Sequence, residues 1–281
     1  MRTYNSCSLF IFLLSLLFVI NSYSQEESKF ANDKNKFFVG LDLSGAFPVG
    51  SFSNVDTHFP CNSTVSTGSV YDLTLGCRLS PKYGVLALLY DGSFELDPSS
   101  RGVAQLISSS NGLYENAQVL KNGAWVAQGI NIGMYYSFPV GKTNKIFIRP
   151  RILLGITGCR LPEIVVVGTH NPTTANSSGN SIDTVETWDT PSAYAYTLTY
   201  RIGAGVNYVL NKKLDLFLTL DYQGSPLNFN NIPTNYSEVV NSTNITTGVV
   251  TPLSTSSILY EENVKINFQT LNLGIGILFR F

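Results

Sequence analysis

The last eleven residues constrain this chain more than any other stretch. Leu271, Leu273, Ile275, Ile277, Phe279 and Phe281 share one face of an extended strand, because side chains alternate with period two. Asn272, Gly274, Gly276 and Arg280 take the other face, with Leu278 the lone exception. A tilted strand of about 9–11 residues spans a bilayer, and an apolar face backed by small or polar residues is what a transmembrane barrel requires.

The N-terminus is consistent with export. Arg2 is the only charge before Leu9–Ile20, which holds eleven apolar residues and one serine. Ser22 and Ser24 place small side chains at the −3 and −1 positions before Gln25, so residues 1–24 read as a cleaved signal peptide. Cys7 lies ahead of the apolar run and leaves with it. Residues 25–35 form a short polar tail, expected in the periplasm, and 36–281 form one domain. Removing Arg2 leaves 17 basic residues against 19 acidic, a balance that argues against a nucleic-acid partner.

Period-two alternation marks eight segments: about Lys36–Phe47, Val70–Leu79, Tyr83–Phe94, Trp125–Phe138, Lys145–Thr157, Tyr194–Tyr208, Leu214–Gln223, and a C-terminal one beginning between Val264 and Leu271. The third is nearly all apolar, so its facing stays ambiguous. Short turns follow the second, fourth and sixth; long connections, 48–69, 95–124, 158–193 and 224–263, follow the others. Short periplasmic turns and long extracellular loops are the rule in such barrels. The expected fold is therefore all-β, a closed antiparallel up-and-down transmembrane barrel of eight strands with both termini periplasmic. Hairpins built on Ile164–Val167 and Ile258–Tyr260 could rise above the membrane, and a ten-stranded barrel using them is the alternative. Aromatics gather at two levels, as interfacial girdles do. Pro150 cannot donate a ladder hydrogen bond, so a bulge or distortion is expected at Arg149–Arg151.

With these segments placed, the chain resembles the eight-stranded outer-membrane barrel family, which includes the transmembrane domain of OmpA and the small OmpX-like proteins. The resemblance rests on Phe37–Leu43, Tyr194–Tyr208, Leu214–Tyr222 and Leu271–Phe281 and covers Lys36–Phe281. It implies residence in the outer membrane of a Gram-negative bacterium, among its lipid and lipopolysaccharide. It also implies that Phe279 and Phe281 serve as the insertion signal read by the barrel assembly machinery. Family members act as anchors, adhesins, complex subunits or, in a few cases, lipid-modifying enzymes.

Inward parity collects charges. Asp42, Arg151 and Arg201 fall near mid-height, with Arg78, Arg149 and Asp215 lower and Asp72 and Asp221 higher. Glycines 40, 155, 203 and 205 clear room for long side chains. An eight-stranded interior is just wide enough for side chains to fill, and buried charges must pair. The expected cluster joins Asp42 to Arg201 or Arg151 and plugs the interior; the same residues could instead line a small passive pore. His58 and His170 are the only histidines, and no motif supplies a nucleophile or a metal-ligand spacing. Neither catalytic residues, metal nor cofactor is therefore expected, a rim-sited protease or lipid-modifying enzyme being the alternative. Cys61 and Cys159 fall on one side of the membrane, where a disulfide between them and two free thiols are both open; Cys77 reads as a small apolar residue. The expected function is a non-enzymatic, monomeric scaffold whose outer loops bind a surface or envelope partner.

Overall fold

The computed structural model describes residues 36–55, 63–97, 114–141, 145–170, 180–244 and 246–281. In chain order these form β1 (Phe37–Pro48), a 3-10 turn (Gly50–Phe52), β2 (Asn54–Val55), β3 (Ser63–Val65), β4 (Gly68–Arg78), β5 (Tyr83–Asp97), β6 (Tyr114–Asn122) and β7 (Ala124–Tyr136). Then come β8 (Phe138–Val140), β9 (Ile146–Leu161), β10 (Ile164–His170), β11 (Asn180–Thr190), β12 (Ala193–Val209), β13 (Leu214–Asn244) and β14 (Val250–Arg280). Each of the eight alternating segments has become a long strand.

The pairing is antiparallel throughout. Hydrogen-bonded neighbours run β1–β4–β5–β7–β9–β12–β13–β14, and β14 pairs in turn with β1. Every one of these eight strands therefore has a neighbour on both sides. The chain ends meet at one level, where Phe37 and Phe281 exchange backbone hydrogen bonds of 3.1 and 2.9 Å. Short turns close on their own side chains: Ser80 Oγ accepts the amides of Lys82 and Tyr83, and Asn211 Oδ1 accepts those of Lys213 and Leu214.

Burial alternates as the side-chain period demands. Leu198 is 75% exposed and Leu154 66%, while Arg201 and Asp221 on the opposite face are wholly buried. The ambiguous third segment is also decided, because Leu86, Leu88, Tyr90 and Phe94 of β5 are buried and Tyr83 and Val85 exposed.

One expectation needs correction. The connections 158–193 and 224–263 are largely strand rather than loop. β13 and β14 run on together to a turn at Asn244–Val249, where Gly248 has φ +68° and Asn244 Oδ1 accepts the amides of Thr246 and Thr247 at 3.0 Å. β11, β10 and β6 then pair in series on the outer half of β13, giving the side-by-side order β14–β13–β11–β10–β6. They extend the sheet beyond the pairing of β13 with β14 and β12.

The distortion expected at Pro150 is found on one side of its strand, as an interruption and not a bulge. The register of β9 with β12 runs unbroken through Pro150↔Ala204. On its other side the ladder is interrupted between Tyr135↔Arg151 and Phe138↔Ile148, separating β7 from β8. A missing N–H is thus absorbed as a gap on one side of the strand.

Candidate functional site

The buried face carries a ladder of charge. Arg201 donates Nε to Asp221 Oδ2 at 2.9 Å and Nη1 to Asp72 Oδ1 at 3.1 Å, with Nη2 on the other Asp72 oxygen. Arg151 donates Nε to Asp221 Oδ1 at 2.9 Å and also pairs through Nη2. Two guanidiniums therefore share one carboxylate, and the second carboxylate comes from β4, several strands away. Fork-on-carboxylate geometry of this kind is the strong form of the ion pair.

Gly203 makes the Arg151–Asp221 pair possible. It lies in register between them, opposite Arg151 on β9 and Asp221 on β13. A Cβ there would collide with Asp221 Oδ1.

The expected partner, Asp42, stands apart. It accepts Thr219 Oγ1 at 2.8 Å and Ser44 Oγ at 3.3 Å, and forms no ion pair with Arg151 or Arg201. Strand tilt and shear explain the miss: residues level by count from strand ends are not level in space. Asp72, placed too high by that count, is the acid that Arg201 reaches. Asp42 faces Asp72 directly across the β1–β4 ladder, so its hydroxyl partners satisfy a carboxylate that has a like charge as neighbour.

Polar and aromatic layers lie on the side of this ladder away from the chain ends. Gln223 Nε2 donates to Tyr90 Oη at 2.8 Å, and Tyr90 is hydrogen-bonded to Thr157. Beyond them Phe52, Phe94, Trp125, Phe229 and Phe268 are all buried. Phe52 sits at the centre, with ring centroids 4.6 Å from Phe268, 5.5 Å from Phe94 and 5.7 Å from Trp125. It enters from the 3-10 turn after β1, where Gly50 takes φ +60°. Sequence reasoning missed Phe52, whose only signal was an aromatic beside a glycine in a polar connection.

On the other side of the ladder, toward the chain ends, Arg280 Nη2 reaches Asp215 Oδ1 at 2.7 Å and the Asn211 carbonyl at 2.9 Å. Arg149 lies 5.6 Å from the Tyr135 ring centroid, donates Nε to Ser137 Oγ at 3.1 Å, and stops 3.9 Å short of Asp215.

The extended sheet carries a second group of side chains. His170 Nε2 lies 2.7 Å from Glu186 Oε1, joining β10 to β11. Trp188, Tyr236 and Tyr260 form a row with centroid spacings of 5.5 and 6.4 Å. Glu186 and Glu238 oppose each other across the β11–β13 ladder. Burial, together with these two carboxylates, pushes the Tyr236 phenol up to about 12.

Of the remaining sequence candidates, His58 and Cys61 lie outside the described residues. Cys159 is a free thiol, 1% exposed in the core beside Ala127 and Ala195, and the bridge to Cys61 considered for it lies outside the described residues. Phe279 is exposed and packs near Phe281 with centroids 6.2 Å apart. Among the described residues no three potential ligands gather to hold a metal.

No family model matches the chain, and no curated relative does. Solved structures with a similar course include the outer membrane protein OprG from Pseudomonas aeruginosa, 14% identical, with a TM-score of 0.44 over 88% of this chain and 96% of that one. A major outer membrane protein from Thermus thermophilus is 13% identical, TM-score 0.38, over 88% and 98%. The outer membrane protein AlkL, solved in lipid bilayers, is 12% identical, TM-score 0.37, over 92% and 95%. The fold assignment of this chain rests on its own strand pairing.

Proposed function

We propose that the chain is a closed, eight-stranded β-barrel of the outer membrane of a Gram-negative bacterium, shut to ions, that holds an acidic sheet outside the cell to bind a partner. One observation carries the membrane reading: the molecule is inverted in polarity. Leucines, isoleucines and valines face outward at high exposure on strand after strand, while Arg201, Asp221 and Asp72 are buried. A soluble protein does not tolerate an apolar surface of that extent. A bilayer demands one, and a cyclic pairing order leaves no strand edge within the hydrocarbon.

The closed interior is supported by the ion ladder and by the aromatic cap around Phe52. The outer sheet supplies the binding surface. Its described strands carry Asp183, Glu186, Asp189, Glu238 and Glu261, against the lysines Lys121 and Lys265. The opposite end is basic, with Lys82, Lys145, Lys212 and Lys213 at the short turns. Charge complementarity therefore favours a partner that presents positive charge outside the cell. The chain ends lie in the periplasm in this reading, with Phe279 and Phe281 available to the assembly machinery.

Planar bilayers test the scaffold. The purified protein should insert without stable single-channel conductance; large stable openings would replace the scaffold with a pore. Glu238→Gln with Glu261→Gln should weaken capture of the partner from crosslinked intact cells, and more so at low salt. Unchanged capture would remove the acidic sheet from the interaction.

A further inference from the structure

We propose that the break beside Pro150 binds one anionic glycerophospholipid of the periplasmic leaflet, its acyl chain in the groove there and its phosphate at Lys82 and Lys145. The inference rests on the outer-membrane reading above. The groove measures about 580 Å³, within the range of small-molecule sites. Tyr83, Met134, Tyr136, Pro150, Ile152 and Ile202 line it. All of them but the half-buried proline are exposed on the apolar outer surface.

The proline that opens the groove also leaves it polar at one point. Ser137 N donates to the Lys82 carbonyl, on the β5 side of the strand. Alternation along an antiparallel ladder then turns the carbonyl of the preceding residue, Tyr136, toward β9. The register on either side of the break, Tyr135↔Arg151 and Phe138↔Ile148, sets Tyr136 opposite Pro150. Pro150 has no N–H to give, so this carbonyl goes without its ladder donor. Such a group is costly at membrane depth. A hydrocarbon tail alone cannot answer it, whereas a headgroup hydroxyl can.

Charge complementarity selects the class of lipid. Lys82 immediately precedes Tyr83 at the foot of the groove, and Lys145 stands at the start of β9, below Pro150 on the same strand. Both lysines are exposed. The neighbouring turns, 79–83, 138–146 and 209–214, contain no Asp or Glu. A basic rim of this kind attracts a net negative headgroup. Phosphatidylglycerol brings both requirements together, a phosphate with no cation of its own and hydroxyls free to donate. Ethanolamine and choline headgroups would carry positive charge toward the lysines.

Native mass spectrometry of the folded protein tests the site. Micelles are doped with equal parts of phosphatidylglycerol, phosphatidylethanolamine and phosphatidylcholine bearing the same acyl chains. Wild type should retain one phosphatidylglycerol, about ten-fold over phosphatidylcholine. Lys82→Gln with Lys145→Gln should bring the three lipids level. Pro150→Ala restores the missing N–H and leaves the β9–β12 register intact, so it should fold and lose the retained lipid. Equal retention of the three lipids by wild type would overturn the site. So would a phosphatidylglycerol preference that survives Pro150→Ala, which would mark a general attraction of the basic rim. The heat-resistant folded band, read after insertion into phosphatidylcholine vesicles, separates the two readings. Its absence in wild type counts against the membrane barrel; its presence without any lipid preference counts against the lipid site alone.

Discussion

Gly203 holds its position because two side chains meet across it. Any Cβ strikes Asp221, and a branched one pries Arg151 away from the carboxylate it shares with Arg201. Gly203→Val should cost about 3–5 kcal/mol, the scale for stranding a buried charge, read as loss of the heat-resistant folded band on a gel. Asp72→Asn should cost far more than Asp42→Asn, because only Asp72 faces a guanidinium at hydrogen-bond distance. Adding Arg201→Ala to Asp72→Ala should cost less than the two single losses together; strict additivity would break the pair. Much of this residue-level picture was legible in the sequence. Parity alone turned Asp42, Asp72, Asp221, Arg151 and Arg201 inward and marked Gly203 as a clearing. Which acid met which base was not legible, since partner choice depends on shear, a property of the assembled sheet and of no single strand.

The hairpin of β13 and β14 shows where legibility ends along an element. Below Tyr222 and Leu271 the two faces differ sharply, one apolar and one polar, and the strands announce themselves. Above, at Ser237, Ser242, Thr251 or Ser256, that contrast fades and the same strands read as polar loop. β-propensity persists there in Thr, Val, Ile and Tyr, yet without alternation it is a weak signal. Before Thr270 in the chain, β14 pairs only with β13 among the described residues, apart from Val49 N donating to Gln269 O at 3.0 Å. That bond fixes parity: odd-numbered residues from 255 to 263 turn their amides to the free edge, even-numbered ones to β13. Ser256→Pro should therefore open the hairpin to protease, while Ser257→Pro should leave it resistant. Equal sensitivity would mean the edge is covered or the register differs. Tyr236 adds a pH dependence. Its phenol ionises higher when folded, so its stabilising contribution is complete below pH 10 and disappears as pH rises toward 12. Protease sensitivity of the hairpin should climb across that window, and the climb should be absent in Tyr236→Phe.

At the scale of the whole molecule, orientation and plugging make one statement. An epitope inserted at Thr247–Gly248 should be labelled on intact cells and one at Lys212 should not; the reverse pattern would invert the barrel. The Arg201–Asp72 contact bears on how such a molecule assembles. Its partners are separated by 129 residues of chain and sit on opposite sides of the strand order. It acts as a crossbar, unable to form until the strands between β4 and β12 have taken their places, because distant contacts wait on loop closure. Both groups stay hydrated until that late moment, and the interior dries as the crossbar locks. Asp72→Asn should accordingly hasten unfolding in urea and leave the rate of insertion into vesicles unchanged. The barrel would then be slow to come apart for a reason that plays no part in how fast it goes together.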